Sequence, residues 1–236
     1  MSDLDGKAAL VAGATGGVGG AVARSLADAG ARVTLLSRTP GALDALVGEI
    51  GGAAVQADLT DPASVEAVVG RFLDEEGEAP DAVVNAAGVF DLARLDETPL
   101  EMLDRNLQVN LRGAFLLVRA VLPAMLERGR GLVVNVGSVA GRKALPGNAA
   151  YSASKFGLRG MHEVLLEEIR GTGVRATLLE PGAVDTRIWD PLDPDARPEL
   201  PSRGQMLSPR DVAEAVLFVA TRPPGVQVPV LPIERA

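Results

Sequence analysis

With 236 residues, 47% of them hydrophobic, the chain carries enough apolar material for a substantial buried core. A net charge of −8 and a pI near 4.8 argue against nucleic acid and anionic membrane as main partners. The absence of cysteine excludes a disulfide framework and thiolate chemistry.

In chain order, Lys7–Ala12 reads as a buried strand and Val18–Ala29 as a helix, then Arg32–Ser37 as a strand and Gly41–Ile50 as a helix. Ala53–Ala57 is the next strand and Pro62–Glu75 the next helix. Strands at Asp81–Ala86 and Leu132–Val136 flank a long helical stretch from Pro99 to about Glu127. A helix over Ala149–Arg170 leads into a strand at Val174–Leu179, and a helix at Pro209–Ala220 precedes a strand at Val226–Ile233. Thr98-Pro99-Leu100-Glu101 and Ser208-Pro209-Arg210-Asp211 read as capping boxes with proline at the first helical position, and Asp61-Pro62 as a simpler version. This alternation predicts an α/β fold: a doubly wound, Rossmann-like parallel sheet of about seven strands with helices on both faces, three layers in one domain over residues 1–236.

No apolar run reaches the ~18 residues of a membrane span. The acidic start Met1-Ser2-Asp3-Leu4-Asp5 lacks a signal-peptide pattern, so a soluble cytoplasmic protein is expected. The proline-rich stretch Asp185–Leu207 is too long for an ordinary connection and reads as a substrate lid.

The first strand runs into Ala12-Gly13-Ala14-Thr15-Gly16-Gly17-Val18-Gly19-Gly20 and then a helix. Glycines there allow a pyrophosphate to approach the backbone and meet the helix N-terminus. The spacing parses as Gly13, Gly17, Gly19 or as Gly13, Gly16, Gly19. An acid at the end of the second strand would bind the ribose 2′-hydroxyl of NAD. Ser37-Arg38-Thr39 stands there instead, and a guanidinium suits a 2′-phosphate, so NADP(H) is expected over NAD(H), with Arg38 on the phosphate.

Tyr151 is the only tyrosine and lies four residues before Lys155, one of three lysines, with Ser138 thirteen residues upstream. At i and i+4 on a helix the phenol and ammonium share a face about 6 Å apart along the axis. The cation is expected to lower the phenol pKa from about 10, making an acid–base group for neutral pH.

Taken with Asn110 in Val109-Asn110-Leu111-Arg112-Gly113, with Asp58-Leu59-Thr60-Asp61, Asn85-Ala86-Ala87-Gly88 and Pro181-Gly182-Ala183-Val184-Asp185-Thr186, these motifs resemble the short-chain dehydrogenase/reductase family in its one-domain form. The resemblance covers nearly the whole chain in order. The chain departs from it in Ala12 for threonine, in Ala86 for the second asparagine, and in its ending Leu231-Pro232-Ile233-Glu234-Arg235-Ala236. The resemblance implies hydride transfer between a nicotinamide and a carbonyl or alcohol carbon, with Asn110, Ser138, Tyr151 and Lys155 as the catalytic set. Tyr151 would be the acid/base, Ser138 would hold the carbonyl oxygen, and Asn110 would position a water that connects Lys155 to solvent. Cofactor contacts are implied for Gly13, Thr15, Gly17, Val18, Gly19, Ser37, Arg38, Asp58, Leu59, Asn85, Ala86, Gly88, Tyr151, Lys155, Pro181, Gly182, Val184 and Thr186.

Val139, Leu145, Ile188 and Trp189 would join Ser138 and Tyr151 around a small or medium, fairly apolar ketone or aldehyde. Arg142, Lys143 and Arg187 are cations available for one acid group. His162 reads as a packing residue. Asp190, Asp193 and Asp195 read as a solvated part of the lid rather than a metal site. Phe115, Leu116, Leu117, Val121 and Leu122 suit either core or a helix contact in a homodimer or homotetramer.

Overall fold

The computed structural model describes residues 4–236; of the acidic start, Met1-Ser2-Asp3 lie outside the described residues. Among these residues seven strands form one parallel sheet: β1 Ala8–Ala12, β2 Arg32–Ser37, β3 Ala53–Gln56, β4 Ala82–Asn85, β5 Gly131–Val136, β6 Val174–Pro181 and β7 Val230–Ile233, in the order β3-β2-β1-β4-β5-β6-β7. The helices are α1 Gly17–Asp28, α2 Pro40–Ile50, α3 Pro62–Glu76, α4 Leu100–Asn106, α5 Gly113–Arg128, α6 Ala149–Glu168 and α7 Pro209–Ala220. Leu10 and Val83 face one side of the sheet, where they meet Val68 of α3 and Leu117 of α5. Val11 and Val84 face the other, against Val22 of α1 and Val216 of α7. A sheet covered on both faces explains why its central strands are apolar throughout rather than alternating.

Asp61 caps α3 by accepting the N–H groups of Ala63 and Ser64, and Ser208 with Asp211 forms the expected capping box on α7. The box expected at Thr98 does not form. Thr98 ends a 3₁₀ turn at Leu95–Glu97 and its hydroxyl turns back to the Arg94 carbonyl at 2.8 Å, so Pro99 becomes the N-cap itself.

The last strand starts at Val230 rather than Val226. Residues before it follow β6 through side-chain bonds: Thr177 Oγ1 donates to the Val228 carbonyl at 2.7 Å and Gln227 bonds the Ala176 backbone. Pro229 has no N–H to extend the ladder. Its carbonyl accepts from Leu178 N at 3.0 Å and meets His162 Nε2 at 2.9 Å. His162 is therefore a buried packing residue, its pKa lowered chiefly by burial.

The long helical stretch is one run, interrupted by a π-helical turn over Leu107–Arg112 that carries Asn110. By length and average composition Leu100–Arg128 could pass for a membrane span, but Arg112 and Arg119 interrupt it, so no unbroken apolar run of ~18 residues forms. Its Leu117, Val121 and Met125 are packed in the core beside the sheet.

Candidate active site

The carboxyl ends of β1 and β4 lie side by side where strand order reverses, the usual place for a ligand crevice in an open α/β sheet. Gly13, Thr15, Ser37, Arg38, Asp58 and Leu59 line the cleft there, with Ala86 and Gly88 across from them. Gly13 has φ +75°, and a Cβ on it would sit 2.6 Å from the Ala87 nitrogen, so a side chain there would push the glycine turn off the loop after β4. A Cβ on Gly17 would lie 2.6 Å from the Thr186 methyl, whereas one on Gly16 would meet the Gly13 carbonyl at 3.2 Å. The close approaches thus select the Gly13, Gly17, Gly19 reading. Helix α1 starts at Gly17 without a side-chain cap, so the N–H groups of its first turn, at Val18 and Gly19, remain for a ligand.

Thr15 and Ser37 share a hydroxyl hydrogen bond of 2.6 Å that joins the glycine turn to the end of β2. Arg38 is exposed beside them. The Asp58 carboxyl is held below its usual range, first by the Thr60 N–H at 2.9 Å and then by the Thr60 hydroxyl at 2.8 Å, with a smaller pull from Arg38. Asn85 is buried and braces the loop by accepting the Ala87 N–H at 3.3 Å. Pro181 ends β6, Gly182 N donates to the Ile233 carbonyl at 2.8 Å, and Val184 pairs with Leu207, which brings Thr186 against Gly17. A turn stripped of Cβ atoms and an open helix N-terminus fit the pyrophosphate of a nicotinamide dinucleotide.

At the inner end the four candidate catalytic residues converge from three elements. Tyr151 and Lys155 share a face of α6, with the Lys155 Nζ 5.7 Å from the phenol ring centre. The Ser138 hydroxyl, at the end of the β5 loop, hydrogen-bonds the Tyr151 phenol. A Cβ on Gly88 would lie 3.3 Å from Asn110 Oδ1 and 3.9 Å from Lys155 Nζ, which sets these groups around one point. Lys155 is 5% exposed and donates to the Val136 carbonyl at 2.9 Å.

One expectation needs correction. Burial, not Lys155, dominates the phenol: the Tyr151 pKa is pushed up to about 12, with the Ser138 hydrogen bond opposing, and burial brings Lys155 down to about 8. A half-buried phenol and a buried ammonium each resist their charged forms, and at 5.7 Å the attraction is the smaller effect. The Asn110 side chain is buried and hydrogen-bonded at both ends of its amide. Its Oδ1 accepts Val89 N–H at 2.8 Å, and its Nδ2 faces the Val89 carbonyl, Asn106 Oδ1 and Ser154 Oγ at 3.0, 3.2 and 3.0 Å. Ser154 Oγ in turn donates to the Tyr151 carbonyl at 2.6 Å. The amide therefore pins α6 to the loop after β4.

Of the expected substrate wall, Trp189 points inward and is buried, Val139 is half-buried, and Leu145 and Ile188 stay exposed. Phe90, absent from the sequence reading, touches both Tyr151 and Trp189, with ring centres 4.8 Å apart in each pair. Its only sequence signal was an aromatic residue just beyond Asn85-Ala86-Ala87-Gly88, in a chain with 3% aromatics. The lid is an ordered strap of 3₁₀ turns. Arg203 ties it, donating to Asp185 and Asp190 at 2.6 Å each, while Asp195 accepts the Arg203 N–H at 2.8 Å. Among the described residues no cluster suited to a metal forms.

Arg142 and Lys143 are already paired. Glu234 of the tail takes Arg142 at 2.5 Å and Lys143 at 3.0 Å, and the buried Glu180 lies between Arg142 and Arg159 at 3.1 and 2.7 Å. Arg235 donates to the Met206 carbonyl at 2.9 Å. The unusual ending is thus docked against both the Ser138 loop and the end of the lid.

A family model described as short chain dehydrogenase matches residues 7–197. A D-threitol dehydrogenase of Mycolicibacterium smegmatis is 39% identical over 227 residues, 92% of this chain and 87% of that protein. A metagenomic short-chain oxidoreductase solved in complex with NADP superposes with a TM-score of 0.84 at 33% identity, over 100% of each chain. The closed form of a serine dehydrogenase complexed with NADP+ gives 0.88 at 30% identity, over 96% of this chain and 94% of that one.

Proposed function

The chain belongs to the short-chain dehydrogenase family, and on that premise we propose that it is an NADPH-dependent oxidoreductase reducing a small to medium, fairly apolar ketone or aldehyde to an alcohol. The observation that carries this reading is the convergence of Ser138, Tyr151 and Lys155 at the inner end of a cleft whose outer end presents Arg38.

Bound nicotinamide supplies the hydride. Arg38 holds the 2′-phosphate, and the glycine turn with the N-terminus of α1 holds the pyrophosphate. Ser138 donates a hydrogen bond to the carbonyl oxygen, where negative charge grows as hydride arrives at carbon. Tyr151 gives that oxygen its phenolic proton, and takes it back in the oxidative direction. Lys155 stabilises the phenolate left behind while it stays protonated, a condition met below its pKa of about 8. Asn110 acts by fixing the position of α6 against the loop after β4.

Exposed Phe115 and Leu126 on α5 and Phe156 and Val164 on α6 give an apolar surface for a homodimer or homotetramer.

The likeness to a D-threitol dehydrogenase favours a second reading, NAD-linked oxidation of a small alcohol or polyol. Following NADPH oxidation against a panel of ketones and aldehydes, and NAD+ reduction against alcohols and polyols, separates the two. The proposal expects kcat/KM for the best carbonyl with NADPH to exceed that for any alcohol with NAD+. The reverse order would favour the second reading. Tight cofactor binding with no turnover on either panel would mark a nucleotide sensor.

A further inference from the structure

We propose that Phe90 and Trp189 form a rigid two-ring wall beside the Tyr151 ring that limits the carbonyl's larger substituent to a compact aliphatic group, so that Phe90 sets substrate size. The inference rests on the reductase reading above. Phe90 meets Tyr151 edge to face at 74° and Trp189 at 60°, both at 4.8 Å between ring centres. These are favourable aromatic geometries, and each ring blocks movement of the next.

Both halves of the wall are tied down by polar bonds on either side. Before Phe90, Val89 exchanges two hydrogen bonds with the buried Asn110 amide, at 2.8 and 3.0 Å. After it, Asp91 accepts from the buried Asn106 at 3.1 Å and pairs with Arg105 at 3.4 Å. Phe90 is thus held between two anchored neighbours. On the lid, Trp189 N donates to the Thr186 carbonyl at 3.2 Å, and Asp185 and Asp190, on either side of Trp189 in sequence, both grip Arg203.

A wall so fixed cannot swing away to admit a bulky group. It is apolar, so it also favours a hydrocarbon substituent over a hydroxylated one. One methylene more or less in such a pocket is worth about 10–200-fold in kcat/KM, so removing a phenyl ring that walls the pocket should change size preference by at least that order.

The test compares kcat/KM with NADPH for 2-butanone, 2-hexanone, acetophenone and 2-acetylnaphthalene in the wild type, Phe90→Ala and Phe90→Leu. The wild type is expected to prefer the two aliphatic ketones. In Phe90→Ala the ratio of 2-acetylnaphthalene to 2-butanone is expected to rise at least tenfold, with Phe90→Leu between. Trp189 is the only tryptophan, so its emission reports the same contact without turnover, and a red shift is expected in Phe90→Ala. Thermal melts and NADPH titrations check that each variant is folded. A folded Phe90→Ala that keeps the wild-type ratio within twofold overturns the proposal while leaving the reductase reading intact. A wild type that binds NADPH and reduces none of the four, nor any carbonyl of the wider ketone and aldehyde panel, overturns both.

Discussion

Replacing Tyr151 with phenylalanine is expected to lower kcat for carbonyl reduction by about 10²–10⁴-fold, the range for loss of a positioned general acid, while NADPH still binds. No second tyrosine exists to take over. The substitution keeps the ring that packs edge to face on Phe90 and removes only the hydroxyl bonded to Ser138. Fold and lid should therefore persist. The cofactor contacts expected at Gly13, Thr15 and Arg38 line the outer cleft, away from the phenol. Steady-state kinetics together with an NADPH fluorescence titration check both halves of the expectation. A Tyr151→Phe enzyme within tenfold of wild type would remove the phenol from the chemistry. Loss of NADPH binding would mean that the hydroxyl matters mainly to the cofactor.

Ser37→Asp is expected to move cofactor preference toward NADH. The end of β2 now presents two hydroxyls, Thr15 and Ser37, bonded to each other, and the exposed Arg38. A carboxylate at residue 37 would accept from a ribose 2′-hydroxyl and repel a 2′-phosphate. A charge-assisted hydrogen bond contributes about 1.5–3 kcal/mol, which at 1.4 kcal/mol per tenfold is a change of about 10–100-fold in the ratio of kcat/KM values for NADPH and NADH. Arg38→Ala should weaken NADPH alone. An unchanged ratio in Ser37→Asp would sink the assignment of this end of the cleft to the phosphate.

Much of this was legible in the sequence because it is local. The strand and helix positions follow from apolar periodicity and from caps such as Asp61 and Ser208, and most observed boundaries fall within about two residues of expectation. The alternation of strands and helices carried the parallel sheet. The convergence of Gly13, Arg38, Ser138, Tyr151 and Lys155 followed from motif order. What was not legible depends on partners distant in sequence. Thr98 looked like a cap, but its hydroxyl bonds Arg94 because a 3₁₀ turn precedes it. Val226–Pro229 looked like strand, but side chains of Gln227 and Thr177 replace the ladder there. Phe90 gained meaning only when the lid brought Trp189 to it. The sign of the Tyr151 shift depended on how fully the fold encloses the phenol and the Lys155 ammonium, which an i, i+4 spacing cannot report.

That shift gives the proposed chemistry its sharpest condition. A phenol raised this far is a weak acid for proton transfer at neutral pH, and the positive nicotinamide of the oxidised cofactor would favour its phenolate form. Because folding raises the Tyr151 pKa from about 10, the stability it contributes is whole below pH ~10 and is lost as pH climbs toward 12. Lys155 has the opposite sign: its folded pKa is lowered from 10.5 to about 8, so burial of the ammonium costs stability below pH 8, and the cost fades as pH rises from 8 to 10.5. The titration must therefore be read only while circular dichroism stays native.

The most direct measurement is the tyrosinate absorbance of Tyr151 as a function of pH, without and with saturating NADP+. The expected result is no tyrosinate band below pH ~11 in the free protein and a transition below pH 10 in the complex. The same transition with and without NADP+, or one at or above 10 in the complex, would contradict Tyr151 as the tuned proton donor of this site.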